Sequence, residues 1–473
     1  MTASRDKGLW LPLSKDIISH VLIRLSVNHP LPMSTDLRDK LRRLGVHKGA
    51  AKIQPQPGPR SRASALESLI DGRLIDTPHG PTFLHEETYA ADHPHGGHAL
   101  GDVLSLSPAI AAQIGNDPAL EKIDLSRVVF LDTETTGLAG GAGTLAFLVG
   151  IGTFQSPTPQ GRFAVSNLQL PTSNSNSNSN SNFHLHQFFL RSPGEEPAML
   201  HALADLLDSF DAVISFNGRG FDMPLLQSRF TLAHMRPRIL RAPHLDLLMP
   251  ARRVWRGRLP SCALSSLERH VLSVQRDQAD VPGFLIPEMY LHYVRSGDAS
   301  EMPRVMYHNA IDILSMVSLS TRLITLFAPL QSPPLVGRPE PDAGDWLALG
   351  KWYDDLGRAS DAESALRACL AAQSDPATWT SALHRLGYLL KRLDRREEAV
   401  RVWEALSESE TWEGVEACIE LAKHYEWRKV NPGRASAWTR EAIAIAQMLP
   451  DSYARDRLAA ELTHRMERLE RKR

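Results

Sequence analysis

Cysteine is scarce in this chain. Only Cys262, Cys369 and Cys418 occur in 473 residues. No two of them stand at ligand spacing, which argues against a disulfide framework and against a thiolate zinc centre. An excess of one charge is missing too, since 53 Lys and Arg face 54 Asp and Glu for a net of −1. A global polycation is excluded, while local basic patches are not. No uninterrupted apolar run is long enough for a bilayer, so no membrane span is expected. The start carries Arg5, Asp6 and Lys7 and lacks an apolar run closed by a small-residue cleavage site. No signal peptide is expected, and a cytoplasmic protein is the default expectation.

The 42% of hydrophobic and 23% of charged residues suit folded domains with sizeable cores. At roughly 150 residues per domain, the length allows two to four of them. Residues 1–122 read as a basic, partly disordered N-terminal region. Residues 1–62 hold 12 Lys or Arg and 4 acids, a net of +8, which suits either a phosphate backbone or a solubilising tail. Ala65–Ile70 suggests a short helix. Arg73–Ile75 and Thr82–Leu84 suggest two strands turned by residues 78–81. The histidines of Asp92–His98 match no metal spacing and read as an exposed loop.

Residues 123–330 are patterned as an α/β layer fold. Strands are expected at Val128–Leu131, Leu145–Thr153, His184–Leu190 and Ala212–Phe216, with the first three as a meander. Ser173–Asn182, a Ser/Asn alternation, reads as a mobile loop. Helices are expected at Glu195–Ser209, Asp222–Phe230, Ser265–Leu272, Ile286–Val294 and Val305–Phe327. Residues 331–344 read as a linker. Residues 345–473 read as an all-α repeat, because Gly350, Gly387 and Ala422 recur at offsets of 37 and 35. Ala362, Ala399 and Ala435 follow them in step. These periods fit stacked helix pairs in which small residues let helices approach and Trp346, Trp379 and Trp403 fill the core. The pattern loosely resembles the tetratricopeptide family.

Three segments carry chemistry. In Phe130-Leu131-Asp132-Thr133-Glu134-Thr135-Thr136-Gly137 the two acids are two apart, so a strand aims both to one face. Carboxylates that close repel, and a divalent cation with a preference for oxygen offsets the repulsion. In Ser215-Phe216-Asn217-Gly218-Arg219-Gly220-Phe221-Asp222, a turn follows a strand. Asp222 then opens a helix, at the positive end of its dipole. In Tyr307-His308-Asn309-Ala310-Ile311-Asp312, His308 and Asp312 lie four apart on one helical face. Each segment alone also has a plain structural reading: acids on an exposed strand, a helix cap, a surface pair.

Together the three segments resemble the DEDD 3′–5′ exonucleases of the ribonuclease H-like superfamily. The run Phe130–Gly152, the phrase Arg252–Leu259 and His308-Asn309 are similar to the bacterial YprB-like ribonuclease H-like proteins. The resemblance implies a ribonuclease H-like mixed sheet flanked by helices, followed by the tetratricopeptide-like repeat. It implies Asp132, Glu134, Asp222 and Asp312 as metal ligands for two divalent cations, Mg²⁺ or Mn²⁺. Hydrolysis of single-stranded DNA or RNA from the 3′ end would follow, with His308 as the base for the attacking water. The DEDD subclasses place a histidine five residues before the last acid, or a tyrosine four before it. Here Tyr307 and His308 occupy those places in the opposite order, so either could contact the water.

Residues 219–276 hold 11 Arg against 3 acids, a net of +8. Arg252, Arg253, Arg256 and Arg258 cluster around Trp255. Guanidinium groups grip phosphate and an indole stacks on a base, so these five residues and Asn217 are candidate nucleic-acid contacts. The plain alternative is a basic surface loop with Trp255 buried. Asp246 is an auxiliary acid or a cap. The rival function is a nucleic-acid-binding or scaffolding module with weak or lost cleavage, its repeats binding a protein partner. A structure-selective endonuclease would use the same acids.

Overall fold

The computed structural model describes residues 65–137, 143–154, 182–277, 279–328, 340–450 and 452–472. The basic stretch 1–62, almost all of the Ser/Asn alternation, and most of both the glycine run and the linker lie outside the described residues. One helical turn, α1 (Leu66–Leu69), precedes the hairpin β1 (Arg73–Thr77) and β2 (Gly80–Tyr89). Gly80 takes a φ of +106°, the backbone region that favours glycine, at the hairpin turn. The histidine stretch forms a two-stranded pair, β3 (Pro94–His95) and β4 (His98–Ala99), ahead of α2 (Pro108–Gly115). Its His98 is buried and His95 is hydrogen-bonded to Ser315 at 3.0 Å, so it is packed structure and not the exposed loop expected.

The strands β5 (Val128–Thr135), β6 (Ala146–Thr153) and β7 (Phe183–Phe189) form the expected meander. Then come α3 (Glu196–Leu207), β8 (Ala212–Ser215), α4 (Asp222–Leu232), β9 (His244–Asp246) and α5 (Leu248–Trp255). The helices α6 (Leu264–Leu267), α7 (Ile286–Ser296) and α8 (Met302–Leu326) complete this part. Seven strands pair in the order β1-β2-β7-β6-β5-β8-β9. The pairs β5–β8 and β8–β9 are parallel and the rest antiparallel. Because β2 pairs with β7, the boundary expected at 122/123 falls inside one sheet. The elements α2, β3, β4, β9 and α5 had no forecast. β9 is three residues long, too short for a readable period, and α5 carries Arg252 and Arg253 while Arg256 and Arg258 follow its end.

The strand β5 is central, with an antiparallel neighbour on one side and a parallel one on the other. Its alternation sets both layers. Val128 and Phe130 pack with α2, α5 and most of α8, while Val129 and Leu131 pack with α3, α4 and α7. Each such buried side chain contributes about 1.5–3 kcal/mol, which fixes the strand firmly against sliding. A one-residue slip would reverse every side chain. On the face of Val128 and Phe130, the next two positions are Asp132 and Glu134. The strand leaves its apolar layer, and the same face becomes acidic.

The helices α9 (Ala343–Asp355), α10 (Ala359–Ala371), α11 (Pro376–Arg392), α12 (Arg396–Leu406), α13 (Trp412–Trp427), α14 (Pro432–Met448) and α15 (Tyr453–Glu470) follow. Side chains of Asp342, Asp375, Thr411, Asn431 and Ser452 accept from the free N–H groups that open five of these helices. The repeated small residues sit at crossings. A Cβ on Gly387 would meet the Trp403 indole nitrogen at 2.3 Å, and one on Gly350 would meet Leu366 at 2.8 Å. Trp403 is buried, whereas Trp346 and Trp379 are only half-buried against the core. The fold is therefore a mixed, ribonuclease H-like sheet flanked by helices and followed by an all-helical repeat region. No helix among the described residues is long and apolar enough to cross a membrane.

Asp345, 3% exposed, fastens the repeat region to the sheet layers. It accepts from Trp255 Nε1 at 3.1 Å, Arg258 Nη1 at 2.7 Å and Arg322 Nη2 at 3.2 Å. Arg258 also pairs with Asp342.

Candidate active site

Asp132 pairs in register with Gly150 on β6, and Gly150 with Gln187 on β7. The three positions form a row across the sheet. Gly150 leaves a gap in it, and a Cβ there would lie 2.2 Å from Asn309 Oδ1. Asn309, fully buried on α8, fills that gap. Its Nδ2 donates to Asp132 Oδ2 at 2.9 Å, and its Oδ1 accepts from Gln187 Nε2 at 2.8 Å. Gln187 in turn donates to the Met306 carbonyl at 2.8 Å. The first acid is thus oriented by a buried chain of amides whose every bond crosses between elements.

The turn after β8 delivers Asp222. Asn217 there takes a φ of +66°, which asparagine tolerates. Asp246 accepts from the backbone N–H groups of Asn217 at 2.8 Å, Arg219 at 3.0 Å and Leu248 at 3.0 Å. Asp246 is therefore the cap of this turn. Thr133, between the two acids of β5, donates to Asp222 Oδ1. Burial pushes the Asp222 carboxyl up to about 6, against the hydrogen bond from Thr133. Burial raises Asp132 well above the ordinary range, with the charges of Asp312 and Asp222 adding to it. Glu134 is raised by burial and then by Asp132, Asp312 and Asp222. The four acids from three distant segments lie within one another's field.

On α8, His308 turns Nε2 toward the acids, 3.7 Å from Asp312 Oδ2 and 4.0 Å from Glu134 Oε1. Its Nδ1 lies 2.7 Å from Asp280 Oδ1, which can only accept, and 3.1 Å from Arg276 Nη1, which can only donate. The shorter contact, to Asp280, favours a proton on Nδ1 and a lone pair on Nε2. Tyr307 is spent otherwise, its hydroxyl accepting from the Asp277 backbone N–H at 2.9 Å. That bond pins the loop that carries Arg276. The Arg276 guanidinium donates Nε and Nη2 to Glu268, both at 2.6 Å, and Nη2 also to Asp312 Oδ1. Burial works against its charge, but Glu268 and Asp312 outweigh burial and raise its pKa.

Chemically the acids fit a hard divalent cation, being oxygen donors in a buried, mutually repelling group. Among the described residues, however, no three acidic, histidine or cysteine side chains stand together in an arrangement that could hold a metal ion. A divalent ion bound by Asp132, Glu134, Asp222 and Asp312 would activate water and stabilise a leaving oxygen.

The arginine cluster divides. Arg252, Arg253 and Arg256 line a cleft of about 640 Å³ with Arg219, Asp246 and Trp352. Arg252 and Arg256 are exposed and make no ion pair among the described residues. Arg253 pairs with Asp355 and lies over the Trp352 ring. Two expectations need correction. Trp255 is 3% exposed and has no free face for a base, and Arg258 is taken by Asp342 and Asp345. Both were misread because an indole among arginines looks the same whether it faces solvent or a neighbouring helix. Phe221, missed in the sequence, is exposed beside Asp222. Its place immediately before that acid was the available signal.

Residues 129–324 match the RNase_H superfamily. That range contains all four acids, Arg276 and His308. The chain is 27% identical over 373 residues to the uncharacterized protein YprB of Bacillus subtilis (strain 168), across 78% of this chain and 82% of the relative.

Proposed function

We propose that this protein is a metal-dependent nuclease that removes nucleotides from the 3′ end of single-stranded DNA or RNA. The observation that carries the reading is the convergence of Asp132, Glu134, Asp222 and Asp312 at the end of the central strand, each of the first three driven toward protonation by burial and the first two also by neighbouring acids. Such a group gains most from a bound divalent cation, Mg²⁺ or Mn²⁺. His308 acts as the base. Asp280 holds its Nδ1 proton, so Nε2 accepts the proton of the attacking water. Arg252 and Arg256 hold the phosphate backbone with Arg253 beside them, Asn217 contacts the strand from its turn, and Phe221 offers a face to a base.

In this reading residues 123–330 hold the catalytic groups of the nuclease unit and the hairpin β1–β2 extends its sheet, residues 1–62 are its basic leader, 331–344 the linker, and 345–473 a tetratricopeptide-like region that binds a protein partner. The protein works in the cytoplasm. The test uses purified wild type and Asp132→Asn with end-labelled single-stranded DNA and RNA, in Mn²⁺, Mg²⁺ or chelator. A 3′-end ladder that needs metal and vanishes in the variant is expected, and the better substrate identifies the sugar. Internal products would replace the exonuclease by an endonuclease. Among the described residues no three acids meet at metal-holding positions, and this favours a second reading, a nucleic-acid-binding module with weak cleavage. Ion and strand binding by folded protein without any product would select it.

A further inference from the structure

Six carboxylates belong to the site and its rim: Asp132, Glu134, Asp222, Asp312, Glu268 and Asp280. One permanently charged side chain enters among them. Arg276 is 10% exposed, and its fork is matched to Glu268, itself 2% exposed. The same Nη2 that meets Glu268 also bonds Asp312 Oδ1, and Nη1 lies 3.5 Å from Asp280. Its loop is fastened at several points. Val274 N–H donates to the Glu268 carbonyl at 2.8 Å and Asp277 N–H to Tyr307. Arg304 donates to the carbonyls of Ala279 at 3.0 Å and Asp280 at 3.2 Å. A guanidinium held this way is a built part of the site.

The acids are unequally served. Asp132 is bonded by a neutral amide and Asp222 by a hydroxyl, while Asp312 alone of the four is ion-paired with an arginine among the described residues. Resting on the nuclease reading above, we propose that Arg276 is a built-in counter-ion that takes the place of one divalent cation on Asp312, so that the free protein binds one such ion and not two. Arg276 is a positioning residue here: it acts through Asp312, and its Nη1 also lies 3.1 Å from His308 Nδ1, the ring nitrogen turned away from the acids.

The experiment counts Mn²⁺ per chain in the full-length protein by calorimetric titration and by metal analysis after dialysis. Paramagnetic resonance reports whether two Mn²⁺ ions sit close enough to interact. The proposal expects a ratio of one for wild type and one for Arg276→Lys, which keeps the charge. It expects two for Arg276→Gln, with an interacting pair. Two ions in wild type overturn the proposal and leave the nuclease reading intact. They do so even if Arg276→Gln fails to fold. A folded Arg276→Gln that stays at one ion also overturns it. So does a wild type that binds none while Arg276→Gln binds one or two, because Arg276 would then close the whole site. No ion in wild type, Arg276→Gln or Asp132→Asn sinks the metal-dependent reading itself.

Discussion

Replacing Gly150 with alanine tests the amide chain that orients the first acid. The new Cβ would fall 2.2 Å from Asn309 Oδ1 and 2.8 Å from its Cγ. Ordinary contact requires the side chain to retreat by about 1 Å, in a core that does not yield easily. Overpacking of this kind costs about 1–3 kcal/mol. The retreat also stretches the bond from Asn309 to Asp132, whose carboxyl burial drives toward its neutral form, and a neutral bond is worth about 0.5–1.5 kcal/mol. A loss of about 1.5–4.5 kcal/mol in urea unfolding is therefore expected. Cleavage should fall further than stability suggests, because a 1 Å misplacement near reacting groups costs on the order of 100-fold. The control is Asn309→Ala. With the obstructing amide gone, Gly150→Ala added to it should cost almost nothing more, a departure from additivity of at least about 1 kcal/mol. Additive losses, or a Gly150→Ala protein within about 0.5 kcal/mol of wild type, would refute the reasoning.

Asp345→Ala takes one acceptor from a buried indole N–H and from the guanidinium groups of Arg322 and Arg258, the latter keeping Asp342, and should lose about 1.5–3 kcal/mol in urea unfolding. A loss below about 1 kcal/mol would mean that this fastening contributes little. Glu86 accepts from His186 Nδ1 at 3.0 Å and Arg73 Nε at 2.9 Å, and these bonds outweigh burial to bring its carboxyl down to about 2, from 4.5. Its contribution is complete above pH 4.5 and fades as pH falls toward 2. Melting temperatures of Glu86→Gln should then fall less steeply than wild type across that window, and parallel curves would dismiss the pair. Arg252→Ala and Arg256→Ala should each lower the slope of log affinity against log salt by about 1, read by anisotropy of a labelled oligonucleotide. An unchanged slope would remove the cleft from the strand path.

The meander, helix α3 and the long helix α8 were legible because each is long enough to show its period. Leu200, Leu203, Leu206 and Leu207 are buried along α3 as their spacing demands. The hairpin β1–β2 was legible from its turn residues, but its attachment to β7 was not. Pairing partners a hundred residues apart, such as Glu86 and His186, leave no local pattern. Helix α5 had no forecast, since the four arginines at 252–258, on its last turn and just beyond it, hide the apolar face formed by Leu248, Ala251, Val254 and Trp255.

The four acids and His308 were expected from residue type and spacing only once the three segments were set beside the exonuclease family they resemble, since each segment alone has a plain structural reading. What surrounds them came only from the folded chain. Arg276, Glu268 and Asp280 lie in a stretch with no periodicity, and Gln187 and Asn309 look like ordinary polar residues until Gly150 opens the gap between them. The sequence left open whether the repeat helices meet a partner or the nuclease domain itself. Asp345 draws Trp255 and Arg258 inward, which decides which arginines remain free to face solvent. Local sequence determines the direction of a side chain along its own strand or helix. Which opposite charge or amide it meets depends on contacts across 28 to 177 positions, and only packing of the whole sheet against its helices decides those.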